Sequence, residues 1–157
     1  MIKILIADDH LIIRQGLRLI LETENDFELI GEASDGNEAV SLCKKLKPDV
    51  VLMDLRMPNM DGLTAIEKLR AEQPNIAVVI LTTFNEDDLM LRGLQAGARG
   101  YLLKDTDRNT LFDTIRAAAR GETLLKPEIM ARVLAQANVS STTEIKTNDL
   151  VNLTERE

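Results

Sequence analysis

Five short runs of strand character, several of them β-branched, alternate with stretches of helical spacing and constrain this chain more than any other feature. The runs lie near residues 2–7, 27–33, 50–53, 77–82 and 100–103. Between the first two, Ile13, Leu17, Ile20 and Leu21 share one helical face. Ala39, Leu42, Cys43 and Leu46 repeat that spacing, and Leu63, Ile66 and Leu69 do so with the stem of Arg70 at the edge. Leu89, Leu91 and Leu94 make a weaker stripe, and Leu111, Ile115 and Ala118 mark the last helix of the series. Alternating strand and helix predicts a parallel sheet with helices on both faces.

Punctuation agrees. Asp35-Gly36 opens the second helix and Pro48 closes its exit, while Pro74-Asn75 divides the third helix from the fourth strand. Gly97 stands where a helix ends in a left-handed cap. Asp105 to Asp107 supplies caps and negative charge for the start of the fifth helix. Right-handed crossovers leave few topologies. The expected fold is α/β and flavodoxin-like: a doubly wound, five-stranded parallel sheet of order 2-1-3-4-5.

The 157 residues suffice for one such domain, residues 1–121, plus an extension. Pro127 is placed to start one more helix, so residues 122–136 read as an extra helix and the start of a linker. Residues 137–152 turn to Ser, Thr, Asn and charge and read as a flexible linker. Leu153-Thr154-Glu155-Arg156-Glu157 looks like the opening of a further domain. No apolar run approaches the roughly 18 residues of a membrane span. The start, Met1-Ile2-Lys3-Ile4, lacks the pattern of a signal peptide. The single Cys43 reads as a buried or half-buried thiol, and a cytoplasmic location is expected. Net charge is −7, with only Lys146 and Arg156 as cations in the tail, so neither part is a nucleic-acid surface.

Three of the runs end on charge: Ala7 leads into Asp8-Asp9, Met53 into Asp54 and Leu103 into Lys104. In an open parallel sheet these carboxyl ends share one crevice, where ligands bind. Alone, Asp8 or Asp9 reads as a helix cap, Asp54 as a turn residue before Pro58, Thr82 as a strand residue and Lys104 as a solvated lysine. Their joint placement argues for a site. Magnesium takes oxygen ligands and is commonly held by one or two carboxylates with phosphate oxygens. Asp9 and Asp54 suit direct ligation, and Asp8 a water-bridged or outer role. A carboxylate can attack phosphorus to form an aspartyl phosphate, with Mg2+ and the Lys104 ammonium offsetting charge on the transferring group. Thr82 can donate a hydroxyl hydrogen bond. No Gly-rich phosphate loop follows the first strand, so Rossmann and Walker-type nucleotide sites fail their own motif. His10 is the one histidine, which argues against zinc sites and Ser-His-Asp triads, and it reads as a helix-start residue at the rim.

These residues in this order resemble the receiver domain of two-component response regulators. The resemblance covers roughly residues 1–121. It rests on Asp8-Asp9, Met53-Asp54-Leu55-Arg56-Met57-Pro58 with Asp61-Gly62 after it, Leu81-Thr82-Thr83, and Gly100-Tyr101-Leu102-Leu103-Lys104. The NarL/FixJ subfamily is suggested by Asp8-Asp9-His10 with Arg14-Gln15-Gly16-Leu17, by Gly97 through Asp105, and by a closing Leu-Thr-Glu-Arg-Glu similar to the start of a LuxR-type helix-turn-helix domain. Asp105 stands where many receivers carry proline after the lysine.

The resemblance implies a CheY-like fold and a phosphorylation switch rather than an enzyme. It implies Asp54 as phosphoacceptor for a sensor histidine kinase, and Asp9, Asp54 and the backbone carbonyl of Arg56 as Mg2+ ligands. Thr82 and Lys104 would contact the phosphoryl group, and Tyr101 would be the switch aromatic. DNA binding would run only through the C-terminal helix-turn-helix domain. A homodimer on phosphorylation is expected. Leu11, Ile12 and Leu19 lie off the core face of the first helix, and Arg108, Arg116 and Arg120 lie among apolar residues of the fifth; a broad core stripe explains the former equally. Arg56 and Phe84, two positions after acceptor and threonine, are candidates for screening the acyl phosphate from water. A phosphorylation-independent module is the competing class, but acceptor, acid pair and lysine are all present. A haloacid-type phosphatase expects Asp where Arg56 stands.

Overall fold

Parallel pairing organises the chain, as the alternation of runs requires. The structure, a computed structural model, describes residues 1–83, 87–125 and 127–141. The strands are β1 (Ile2–Ala7), β2 (Phe27–Ala33), β3 (Val50–Met53), β4 (Ala77–Thr82) and β5 (Gly100–Leu103). They form one parallel sheet of order β2-β1-β3-β4-β5. The helices are α1 (Leu11–Leu21), α2 (Gly36–Leu46), α3 (Gly62–Glu72), α4 (Asp87–Gln95), α5 (Arg108–Ala119) and α6 (Pro127–Ser141). The strand positions read from the sequence are those observed.

The central strands β3 and β4 are buried along their whole length, because helices cover both faces of a doubly wound sheet. One core layer joins Ile4, Ile6, Leu52, Val79 and Leu81 of the sheet to Leu111 and Ile115 of α5. Each such side chain contributes about 1.5–3 kcal/mol by leaving water. Cys43 is buried, and burial pushes its thiol up to about 12, so it is held unreactive.

The caps at α2 and α5 are the expected ones, and α3 has one of the same kind. Asp35, Asp61 and Asp107 accept the backbone N–H of Glu38, Thr64 and Thr110. Gly97 has φ 119° just past α4, the left-handed conformation that glycine tolerates. At α4 the reading was incomplete: Met90 and Leu91 are buried while Leu89 is only half-buried. Met90 lies between the leucines that make up the visible stripe, so a leucine-only count passes over it.

Two groups of residues differ from the sequence expectation. Leu11, Ile12 and Leu19 are exposed, Ile12 by 76%, so a broad core stripe does not explain them. Arg116 of α5 is engaged within the chain, by Glu24 and Asp26 of the α1–β2 connection. The chain divides into two compact units, the first Met1–Leu125 and the second beginning at Lys126. In the second, α6 continues to Ser141, past Ala137, where the composition turns linker-like. Phe84 and residues 142–157 lie outside the described residues. Among the described residues no helix is long and apolar enough to cross a membrane.

Candidate functional site

Asp8, Asp54 and Lys104 each occupy the first position beyond a strand, and the sheet still holds them there. The Asp8 N–H donates to Ala33 at 2.9 Å, the Asp54 N–H to Ala7 at 2.9 Å and the Lys104 N–H to Thr82 at 2.9 Å. The ladder thus runs one residue past each strand and fixes where each side chain starts. Glycine makes room beneath: a Cβ on Gly62 would sit 2.1 Å from the Asp54 carbonyl oxygen, so the loop after β3 closes only with glycine there.

The side chains meet. Lys104 Nζ pairs with Asp8 Oδ2, and lies 3.2 Å from Asp54 Oδ2. Asp54 is 3% exposed, and its Oδ1 is buried with no hydrogen-bond partner among the described residues. Burial raises the Asp54 carboxyl pKa from its ordinary value, Lys104 draws it back, and the neighbouring Asp8 raises it again. The Lys104 ammonium and a backbone hydrogen bond from Arg56 favour the charged form against that burial, and one carboxylate oxygen is left over. Such an oxygen costs about 1–3 kcal/mol unless something binds it.

Asp9 stands at the mouth of the crevice. Ligand atoms of Asp8, Asp9, His10 and Asp54 all lie within 4.8 Å of one another. Three carboxylates so close repel, and a divalent cation would relieve that repulsion. The donor set and the orphaned Asp54 oxygen both fit a hard cation that prefers oxygen. The sequence places His10 at the rim, and it does begin α1, its carbonyl accepting Arg14 N–H. The ring also joins the cluster, with Nδ1 3.0 Å from Asp8 Oδ1 and 3.2 Å from Asp9 Oδ1. Because Asp8 is occupied by Lys104 and His10, Asp9 and Asp54 are the freer carboxylates.

Thr82 closes β4 and is buried beside the site, with Leu103 as its register partner on β5. Tyr101 is 0% exposed and pairs in register with Ile80, so its ring lies inside the fold. Arg56 is exposed, and a cleft of about 470 Å³ opens from Asp9 past Arg56 and Met57 to Leu89 and Arg92. Arg14 escaped the site reading. Its guanidinium donates to the Asp8 carbonyl oxygen at 2.6 Å. Its one visible signal was its place in the first-helix pattern.

A doubly wound α/β domain with three carboxylates and a lysine at the carboxyl edge of its sheet defines an acid-pocket class of α/β domain. The chain belongs to the response regulator receiver domain family, which it matches over residues 4–116. It is 52% identical over 131 residues to the transcriptional regulatory protein YdfI of Bacillus subtilis (strain 168), covering 83% of this chain and 61% of that protein. Among solved structures it resembles a LuxR-family two-component response regulator from Aurantimonas sp. SI85-9A1, with TM-score 0.81 and 31% identity over 88% of this chain and 99% of that one. It also resembles the signal receiver domain of the putative response regulator NarL from Mycobacterium tuberculosis, with TM-score 0.74 and 33% identity over 77% and 98% of the two chains. The chain spans 61–64% of the length of three curated relatives that it matches, YdfI among them.

Proposed function

We propose that Asp54 accepts a phosphoryl group from a sensor histidine kinase, with Mg2+ bound at Asp9, Asp54 and the Arg56 carbonyl, and that the chain is a switch rather than an enzyme with an external product. One observation carries this reading: the buried Asp54 carboxylate has one oxygen fixed by Lys104 and the other unpartnered, beside Asp9. An Asp54 oxygen forms the new bond to phosphorus. The bond from phosphorus to the donor's imidazole nitrogen breaks, and its electron pair stays on that nitrogen. Mg2+ supplies positive charge that offsets the phosphoryl oxygens. Lys104 sits 3.2 Å from the attacking group and offsets the rest. Asp8, engaged by Lys104, serves the cation from outside its first ligands.

Thr82 and Lys104 then turn toward the phosphoryl oxygens. Movement of Thr82 secures the Tyr101 ring in its buried position, and the face made by α4, β5 and α5 takes its active form. Inverting a 1:99 population takes about 5.5 kcal/mol of differential stabilisation. Several charge-assisted hydrogen bonds at about 1.5–3 kcal/mol each are of that size. The output is a homodimer in the cytoplasm that controls DNA binding through a C-terminal helix-turn-helix domain. The exposed Leu11, Ile12 and Leu19 of α1 support such a contact. Arg108 remains a candidate to share it, whereas Arg116 and Arg120 are paired with acids of their own chain.

The test is intact mass after incubation with Mg2+ and acetyl phosphate. One phosphoryl adduct, lost in Asp54→Ala and on chelation, is expected. An adduct that persists in Asp54→Ala moves the acceptor elsewhere, and none under any condition leaves a phosphorylation-independent module.

A further inference from the structure

Asp8 is saturated with partners, and one of them comes from the N-terminal half of α1. Its N–H is held by Ala33, its Oδ1 accepts the His10 N–H at 2.8 Å, and its Oδ2 is taken by Lys104. The remaining group, its backbone carbonyl oxygen, accepts Arg14 Nη1 at 2.6 Å. That carbonyl belongs to the peptide joining Asp8 to Asp9. The direction in which Asp9 leaves the backbone follows the plane of that peptide, and Arg14 is the side chain that fixes the plane.

Arg14 is itself fixed. Its Nε donates to Glu32 Oε1 at 3.0 Å, and Arg18 pairs with the other oxygen of Glu32. The side chains of Arg14 and Glu32 are only 15% and 19% exposed. The β1–β2 register, shifted between Ile4 and Leu5, brings Glu32 opposite Ile6, one step before Ala7. A planar guanidinium reaches a carbonyl and a carboxylate at once, which an ammonium on a flexible stem does not.

We propose that Arg14 is a positioning residue for the divalent-cation site, holding the Asp8–Asp9 peptide so that Asp9 faces the ion. This rests on the metal reading of the site. Partners that orient a ligand typically change metal affinity by about 10–100-fold when lost. Charge alone predicts the opposite. Arg14 is a cation beside a cation site, so neutralising it should tighten binding if through-space electrostatics were its whole effect.

The experiment is a calorimetric Mg2+ titration of the wild-type chain, Arg14→Gln and Arg14→Lys, with metal-free melting temperatures and the amide spectrum of each. Both variants are expected to bind Mg2+ about tenfold or more weakly. The Asp9 amide resonance should move in the metal-free spectra while that of Lys104 stays. Arg14→Lys keeps the charge, so it tests the geometry even where Arg14→Gln does not fold. Arg14→Gln binding as tightly as wild type, or tighter, overturns the proposal, and so does full affinity in Arg14→Lys. A wild-type chain that binds no Mg2+ sinks the metal reading and this proposal with it. Wild-type binding with unchanged variants sinks this proposal alone.

Discussion

Two charged clusters stabilise opposite demands on this molecule. At the carboxyl edge of the sheet, Lys104 serves Asp8 and Asp54 in near-complete burial, and an Asp54 oxygen is left without a partner. Elsewhere, Arg116 of α5 pairs bidentately with Asp26 and also with Glu24, and lies 4.8 Å over the Phe27 ring. Phe27 in turn meets Phe112 edge-on at 5.5 Å. The second cluster is finished. The Arg116 hydrogen bond holds Asp26 below its ordinary pKa, and the acids hold the Arg116 pKa up. The first is unfinished: burial raises the Asp54 pKa. A completed cluster ties elements together, whereas an uncompleted one retains the capacity to bind a further group.

The contrast can be broken most forcefully at Lys104. Lys104→Met leaves two buried carboxylates without their cation, and removing one partner of a buried pair costs about 3–5 kcal/mol. Denaturant titration in chelator should show that loss, and Mg2+ should restore part of it. No Mg2+ effect would mean the acids do not share a cation site.

Next comes the opposite sign. Asp54→Asn should stabilise the protein by about 1–3 kcal/mol at pH 7, because it removes a buried carboxylate whose Oδ1 has no hydrogen-bond partner among the described residues. The folded carboxyl is harder to ionise than the unfolded one. Its penalty is therefore absent below about 3.8, where both states are protonated, and grows as pH rises through the raised folded value. Melting curves across pH should show the variant's advantage vanish in acid. A variant less stable than wild type at pH 7 would remove the idea of an unfinished cluster.

Arg116→Ala sharpens the other half. It should cost about 1–2 kcal/mol through lost ion pairs and ring contact, with Mg2+ affinity and the phosphoryl adduct unchanged. Here the pH sign reverses. Stability from Asp26 is full above its ordinary 3.8 and is lost as pH falls through the lowered folded value. A changed Mg2+ affinity would show the clusters to be coupled.

The smallest effect on stability is expected at Thr82. Thr82→Ala should cost about 0.5–1.5 kcal/mol and leave the adduct in place while uncoupling it from self-association. Sedimentation with and without phosphodonor reads this, and unchanged phosphorylation-dependent dimerisation in the variant would overturn the switch scheme.

The central strands were legible because a strand buried on both faces must be apolar throughout, which Val50–Met53 and Ala77–Thr82 display directly. The acid pair, Asp54 and Lys104 were legible because the carboxyl ends of such strands converge by topology. The α4 core was legible only in part, since Met90 fills it among leucines. His10 and Arg14 were visible as letters of a pattern, but their bonds to the acids were not. Those bonds depend on how α1 is set against β1 and β2.

Residue order by itself determined which groups stand at the strand ends, because local periodicity and the rules of parallel connection act on neighbours along the chain. Tertiary structure alone decided that Lys104 divides itself between Asp8 and Asp54, that Tyr101 is buried, and that Arg116 reaches Glu24 and Asp26 across 90 and more residues. A side chain's partner is fixed by distances of a few ångströms between distant segments, and those distances exist only once the sheet has closed.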